Sequence, residues 1–136
     1  MSRAHALAKA ARGFVGVPFR LHGRDPVLGM DCVGLLVASL RAIGARAVDP
    51  VGYALRNRKI DRWLECADQS GLMRVSAPLE LGDVMLVSPG PLQHHILIAD
   101  TSETAIHAHA GLRRVVRQPL ATDERIQARW RLSAHS

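Results

Sequence analysis

The apolar positions of the chain change their spacing part-way along its length. Two stretches in the first half repeat apolar residues at the three- and four-residue intervals of an amphipathic helix. They are Ala4, Leu7, Ala8, Ala11, Phe14 and Val15, and then Cys32, Leu35, Leu36, Leu40 and Ile43. Gly16 and Pro18 are expected to end the first helix, Asp31 to cap the start of the second, and Gly44 to cap its end. A weaker helical pattern lies between Asn57 and Asp68.

After Gly71 the pattern changes to short runs of Val, Ile and Leu between turn residues, which is typical of strands. The runs are Asp83 to Val87, His95 to Ala99, Ala105 to Ala110, Val115 to Pro119 and Ile126 to Leu132. We expect an antiparallel meander. Helices followed by strands favour an α+β domain, in which N-terminal helices pack on an antiparallel sheet of about five strands. With 136 residues and no internal repeat or linker, the chain fits one domain over residues 1–136.

Composition and charge restrict the partners. The net charge is +6, with 18 Lys and Arg against 12 Asp and Glu, so the surface favours anionic partners. The cations are spread along the chain without interleaved aromatic residues, so we expect a solvated basic face and no nucleic-acid site. No stretch approaches the roughly 20 apolar residues of a membrane span, and no signal-peptide core opens the sequence. We therefore expect synthesis in the cytoplasm and no membrane partner.

Cys32 has the position of a nucleophile. It forms no C-x-x-C pair with Cys66, which excludes a zinc ribbon and a thioredoxin-type redox centre. With Asp31 as the N-cap, Cys32 falls in the first turn of a helix, where free N–H groups and the helix dipole lower the pKa of a thiol. The alternative is a small buried core residue, the usual fate of a free cysteine. This local pattern leaves both interpretations open.

A base for this nucleophile is found among four clustered histidines. His95 and His107 lie twelve residues apart across a predicted hairpin whose turn is near Ser102. Across such a turn, residues whose numbers add to an even value share a face, so His95, His107 and His109 point together whereas His94 points away. A base with a second imidazole beside it is the arrangement of acyl-transfer enzymes. Histidines that merely hydrogen-bond on a sheet edge are the alternative.

Five short motifs carry a resemblance to a known family. Asp31 to Leu35 is similar to a D-C-S-G-L/F nucleophile helix, Leu81 to Leu86 to a P-G-D-L-V-F strand, His95 to Ile98 to an H-V-G-I strand, Ile106 to Ala108 to an I-H-A strand, and Gly16 to Arg20 to a G-x-P-Y segment. In this order and over residues 14 to 110, they resemble the NlpC-type peptidases, papain-like cysteine peptidases of the cell wall.

The resemblance implies a fold, a reaction and a set of site residues. The fold would be the papain-like NlpC type, and the substrate the peptide stem of peptidoglycan, cleaved through a thioester without a cofactor or metal. Cys32 would be the nucleophile, His95 the base and His107 the third catalytic residue. The residues expected around the substrate are Asp31, Phe19, Arg20 and His109, with Arg24 and Arg46 as other candidates for binding substrate carboxylates.

Three departures and the C-terminal tail qualify this interpretation. Phe19 replaces the family's usual tyrosine, Val33 a serine and Leu97 a glycine. The tail from Gly111 to Leu132 resembles versions encoded near phage tail and gene-transfer-agent genes, which implies phage-like tail proteins as partners and a virion or tail-associated location.

Two other functions remain open. One is a metal-binding module with ligands from the histidine cluster and Cys32, although adjacent His94 and His95 would face opposite sides of a strand and could not easily share one ion. The other is a catalytically idle structural component of a phage-like tail, which the substitutions at Phe19 and Val33 favour.

Overall fold

A computed structural model of the chain describes residues 2–48, 66–67, 69–88, 94–120 and 125–133. The weaker helix predicted between Asn57 and Asp68 lies outside the described residues, except at Cys66 and Ala67.

Two helices form where the first half predicts them. Helix α1 spans Arg3–Arg12 and helix α2 spans Cys32–Ala42. Helix α1 ends earlier than expected, because Gly13 caps it and turns continue to Gly16. Helix α2 is buried over most of its surface, as its nearly continuous apolar sequence requires. Gly44 follows it with φ of 73°, a left-handed conformation that suits glycine at a helix end. No helix in the described ranges has the length and apolar character needed to cross a bilayer.

The strands form one large sheet and a small hairpin. The hairpin pairs β1 (Arg24–Asp25) with β2 (Gly29–Met30). The large sheet contains β3 (Leu72–Arg74), β4 (Val84–Ser88), β5 (His95–Ala99), β6 (Thr104–His109), β7 (Arg114–Pro119) and β8 (Arg125–Leu132). Its order is β3-β8-β4-β5-β6-β7, and every neighbouring pair is antiparallel. The α+β prediction, with helices against an antiparallel sheet, is therefore confirmed.

Two details of the predicted sheet are wrong. Strand β3 was not expected, because it has three residues and buries only Leu72 among them. The meander holds from β4 to β7, but β8 returns to lie between β3 and β4. Trp130 of β8 pairs with Val84 of β4, and both are fully buried. This long-range burial places β8 beside β4 rather than at the outer edge next to β7.

The sheet has an apolar cluster on each face. One face carries Ile96, Ile98, Ile106 and Ala108 in the main core, which also contains residues of α1 and α2. The other face carries a smaller cluster of Met85, Val87, Leu97, Ala99 and Ala105. Successive residues of β5 and β6 therefore point alternately to the helix-bearing face and to the opposite face.

Two buried aspartates connect distant elements. Asp83, just before β4, accepts hydrogen bonds from Arg129 at 3.1 Å and from Nε of Arg131 at 2.8 Å, both on β8. Asp100, just after β5, forms ion pairs with Arg12 of α1 and Arg117 of β7. A buried carboxylate is tolerated when charge-assisted hydrogen bonds satisfy it. These pairs therefore fix β8 against β4, and α1 and β7 against the β5–β6 turn.

The Asp100 pairs predict a pH-dependent stability. Burial opposes ionisation, but the hydrogen bonds and charges of Arg117 and Arg12 outweigh it and lower the pKa of Asp100 below its ordinary 3.8. The stabilisation is thus present above pH 3.8 and is lost as the pH falls through the lower folded-state pKa. Asp100→Asn should lower the free energy of unfolding at pH 7 by about 1–3 kcal/mol, measured by urea denaturation.

The difference from the unchanged protein should shrink in acid. Glu103→Gln is the matched control, because Glu103 is an exposed carboxylate in the same turn, and it should have little effect. A loss in Asp100→Asn that is equally large at pH 7 and at about pH 3 would contradict the electrostatic explanation.

Candidate active site

Asp31 determines where α2 begins. One carboxylate oxygen accepts the N–H of Gly34 at 2.8 Å and the guanidinium of Arg24 at 3.1 Å, and the other accepts the N–H of His22 at 2.9 Å. The carboxylate is fully buried. A Cβ on Gly34 would lie 2.1 Å from the carbonyl oxygen of Gly23, so the preceding loop rests directly on the first turn of α2. Asp31 thus positions Cys32 from below the surface, and its expected contact with substrate stays a prediction.

The Cys32 sulfur lies where strands β5 and β6 separate. The pairing between these strands consists of Ile98 with Ile106 and Ala99 with Ala105. The N–H of Ala99 bonds to Asp83 on the β4 side, so by alternation the N–H of Ile96 points toward β6. There it donates to the sulfur of Cys32. The nucleophile candidate is thereby held beside the residue that follows His95.

The expectation of a lowered thiol pKa is wrong for this structure. Burial and then the negative charge of Asp31 raise the pKa of Cys32 to about 12. Backbone N–H groups of Ile96, Val33 and Cys32 act in the opposite direction but do not compensate. Cys32 is only 2% exposed, so the helix N-terminus does not outweigh desolvation of the thiolate. At neutral pH Cys32 is therefore a thiol, and its sulfur becomes a strong nucleophile only when that proton is removed.

The predicted register of the histidines is confirmed. Nε2 of His95 lies 2.7 Å from Nδ1 of His107, and the two rings are almost perpendicular. The ring centroids of His107 and His109 are 5.4 Å apart. His94 instead bonds to Gln127 through Nδ1 at 2.9 Å. His95, His107 and His109 thus share one face of the sheet, and the sulfur of Cys32 lies beside Ile96, the residue after His95.

The surroundings of His95 and His107 favour neutral rings. Burial, followed by the charges of His107 and His109, lowers the pKa of His95 to about 3. Burial also lowers the pKa of His107, against the opposing hydrogen bond with Gln118. A neutral His95 can accept a proton, which is the state that a general base needs.

Gln118 of β7 is a site residue that the sequence analysis missed. Its Oε1 lies 2.9 Å from Nε2 of His107. Gln118 pairs with Ala105 and His107 with Val116, so Gln118 is a diagonal neighbour of His107 on the same face. The alternation of side chains along Val115 to Pro119 puts Gln118 on one face of its strand. Placing that face beside His107 requires the register between β6 and β7, which the turn from Ala110 to Arg113 sets.

The remaining predicted residues border the site in different ways. His109 accepts the N–H of Leu112 through Nδ1 at 3.0 Å, which ties its ring to the turn before β7. Phe19 is partly buried against the core, and its N–H bonds to the carbonyl of Arg113 at 2.9 Å. Arg20 is exposed, and its N–H bonds to the carbonyl of Met30. Their expected contacts with substrate stay predictions.

Within the described ranges, no three His, Cys, Asp or Glu side chains are arranged to hold one metal ion.

Solved structures share this architecture. The NlpC/p60 domain of the peptidoglycan hydrolase SagA has a TM-score of 0.67 and 21% identity, over 96% of this chain and 99% of that domain. The peptidoglycan hydrolase RipB from Mycobacterium tuberculosis has a TM-score of 0.66 and 17% identity, over 94% of this chain and 63% of that protein. NlpC1 from Trichomonas vaginalis has a TM-score of 0.72 and 15% identity, over 96% of this chain and 44% of that protein. The chain has the NlpC/p60 fold.

The similarity is one of fold. No protein-family profile and no curated protein matches the sequence. The chain spans nearly all of the SagA domain but 44% of the length of NlpC1. Within the NlpC/p60 fold, Cys32 begins the central helix and the paired histidines lie on adjacent strands.

The raised pKa of Cys32 predicts slow alkylation of its thiol. In a Cys66→Ser variant, which leaves Cys32 as the remaining cysteine, iodoacetamide at pH 7 should react more slowly than with N-acetylcysteine. The alkylation rate of Cys32 should still rise above pH 9, because the pKa of its thiol is about 12. The rate of N-acetylcysteine should level off there, because a free thiol has a pKa of ~8.5. The measurement is intact mass against time. A fast reaction that is already independent of pH below 8 would reveal a thiolate and contradict the result.

Proposed function

We propose that this chain is a cysteine peptidase that hydrolyses peptide-stem amide bonds of peptidoglycan through a thioester on Cys32. The observation that carries the proposal is the placement of the Cys32 sulfur on the N–H of Ile96, the residue next to a neutral His95 bonded to His107.

The reaction follows from these groups. As the sulfur attacks the substrate carbonyl, its proton passes to His95, and the new S–C bond gives a tetrahedral oxyanion. Backbone N–H groups at the start of α2 are suited to stabilise that oxyanion. Collapse breaks the C–N bond, and the amine leaves with the proton from His95. Water then adds to the thioester with His95 as base, releasing a carboxylic acid and the Cys32 thiol.

Proton transfer and attack have to be coupled here. The thiol pKa of about 12 and the imidazole pKa of about 3 disfavour a resting thiolate–imidazolium pair. The ion pair therefore forms as the substrate reacts, when His107 can stabilise the positive charge on His95.

Peptidoglycan is the substrate class best supported. Two proteins that share the fold, SagA and RipB, are described as peptidoglycan hydrolases. The exposed Arg20 and the net charge of +6 suit the carboxylates of peptide stems.

Substitution of the histidines tests the assignment. Hydrolysis of purified muropeptides, followed by mass, should be abolished in Cys32→Ala and His95→Ala. His107→Gln should retain part of the rate, because an amide can still hold the His95 ring. His94→Ala is the matched control, since His94 bonds outside the cluster to Gln127. Full activity in His95→Ala, or its loss in His94→Ala alone, would refute the assignment.

The pH profile provides a second test. Because the pKa of His95 lies at about 3, kcat/KM for muropeptides should show no inflection near the ~6.5 of an ordinary histidine as the pH falls from 9 to 5. An acid limb centred near 6.5 would contradict the neutral-pair mechanism.

A structural role without catalysis is the second candidate. It is favoured by the 2% exposure of Cys32 and by Phe19 at the position of the family's tyrosine. The muropeptide assay separates the two, since an idle protein would leave every muropeptide intact at any pH.

We further propose association with phage-like tail proteins, on the resemblance of residues 111 to 132 alone. Arg129 and Arg131 bond to buried Asp83, so docking would use exposed cations such as Arg113 and Arg114. Paired Arg113→Ser and Arg114→Ser changes should weaken co-purification with particles at low salt. Protein found free and never with particles would exclude this partner.

A further inference from the structure

We propose that Gln118 is a positioning residue that sets the tautomers of His107 and His95, and so makes Nδ1 of His95 the atom that accepts the Cys32 proton. This inference rests on the proposed peptidase function, and it adds a residue of β7 to a site otherwise built from α2, β5 and β6.

The assignment follows from the donor and acceptor capacity of each atom. The Oε1 of Gln118 has no hydrogen to donate, so Nε2 of His107, at 2.9 Å, must donate to it. A neutral His107 then has no hydrogen on Nδ1, which must accept from Nε2 of His95 at 2.7 Å. A neutral His95 that carries its hydrogen on Nε2 has a bare Nδ1. The amide oxygen of Gln118 on β7 thus leaves the Nδ1 of His95 on β5 without a hydrogen, able to accept a proton.

The opposite amide orientation would give an inactive base. An NH₂ of Gln118 facing His107 would make Nε2 of His107 an acceptor and move its hydrogen to Nδ1. Nε2 of His95 would then accept the hydrogen bond from Nδ1 of His107, and the ring hydrogen of His95 would sit on its own Nδ1. A neutral His95 in that tautomer could not take a proton from Cys32 through Nδ1. The direction of the Gln118 amide therefore decides whether the chain of bonds supports catalysis.

The charged groups around His107 do not determine the direction of its hydrogen bond with His95. Besides His95, His107 has His109 as a titratable neighbour, and the Nδ1 of His109 already accepts the N–H of Leu112. Arg114 pairs with His109 in the register and is exposed. Arg117, the residue before Gln118, bonds to Asp100. In the part of the chain that the structure describes, Nε2 of His107 has its hydrogen-bond acceptor in Oε1 of Gln118.

Gln118→Met and Gln118→Glu separate a positioning role from a packing role. Methionine has similar length but no oxygen, so His107 loses its acceptor and kcat should fall about tenfold or more, a part of what general-base catalysis contributes, with little change in KM. Glutamate keeps the acceptor and should restore most of kcat. Its charge favours imidazolium, so the acid limb of the profile should move to higher pH.

Gln127→Met is the matched control. Gln127 bonds to a histidine through Oε1 at the same distance of 2.9 Å, but that histidine is His94. This change should leave kcat, KM and the pH profile unaltered.

The tautomers have a readout that does not depend on activity. In ¹⁵N-labelled protein at neutral pH, His95 and His107 should both show protonated Nε2 and bare Nδ1, and Gln118→Met should lose this preference. A hydrogen on Nδ1 of His95, or unchanged tautomers and kcat in Gln118→Met, would overturn the inference. If the expected tautomers are found in a protein that cleaves no muropeptide, the proposed function fails while the tautomer assignment stands.

Discussion

The sulfur of Cys32 accepts the backbone N–H of Ile96, which would otherwise bond to a carbonyl of β6. Strands β5 and β6 pair through Ile98 and Ala99 and then separate, so the buried N–H of Ile96 loses the carbonyl that a continued ladder would supply. Unpaired backbone groups are costly in a core, and the thiol accepts this N–H instead. That contact joins the first turn of α2 to the start of β5. Asp31 maintains it from the other side by fixing where α2 begins.

The same arrangement sets the electrostatics of the site. Packing the thiol between the diverging ends of β5 and β6 removes it from water. The Asp31 carboxylate that caps the helix adds a negative charge beside it. Both effects oppose the thiolate, so a helix N-terminus is not sufficient here to ionise a cysteine. The histidines respond in the same way, because burial and mutual repulsion favour neutral rings. Cys32, His95 and His107 are therefore neutral at rest, and the hydrogen bonds between the two rings determine where their protons lie.

Local patterns predicted much of this arrangement. The cap at Asp31 and the shared face of His95 and His107 depend on helix and hairpin geometry within short stretches, and both agree with the structure. The position of β8 depends on Trp130 and on the bonds of its arginines to Asp83, which are far apart in sequence. Such long-range pairing cannot be obtained from the spacing of apolar residues.

The thiol pKa and Gln118 were missed for related reasons. Desolvation of Cys32 arises from everything packed around it, whereas the sequence shows only the helix start. Gln118 reaches His107 diagonally across β6 and β7, so its role requires the register of a second hairpin. Tertiary packing thus decided the chemistry of residues that local sequence had placed correctly.

Trapping of the covalent intermediate tests the central claim most directly. The protein is mixed with a peptidoglycan stem peptide, quenched in acid within the first turnover, and analysed by intact mass and peptide mapping. The account predicts an added mass equal to the acyl part of the peptide, located on Cys32 and lost on treatment with hydroxylamine. Hydrolysis of the peptide without any adduct at Cys32, or with an adduct at Cys66, would contradict it.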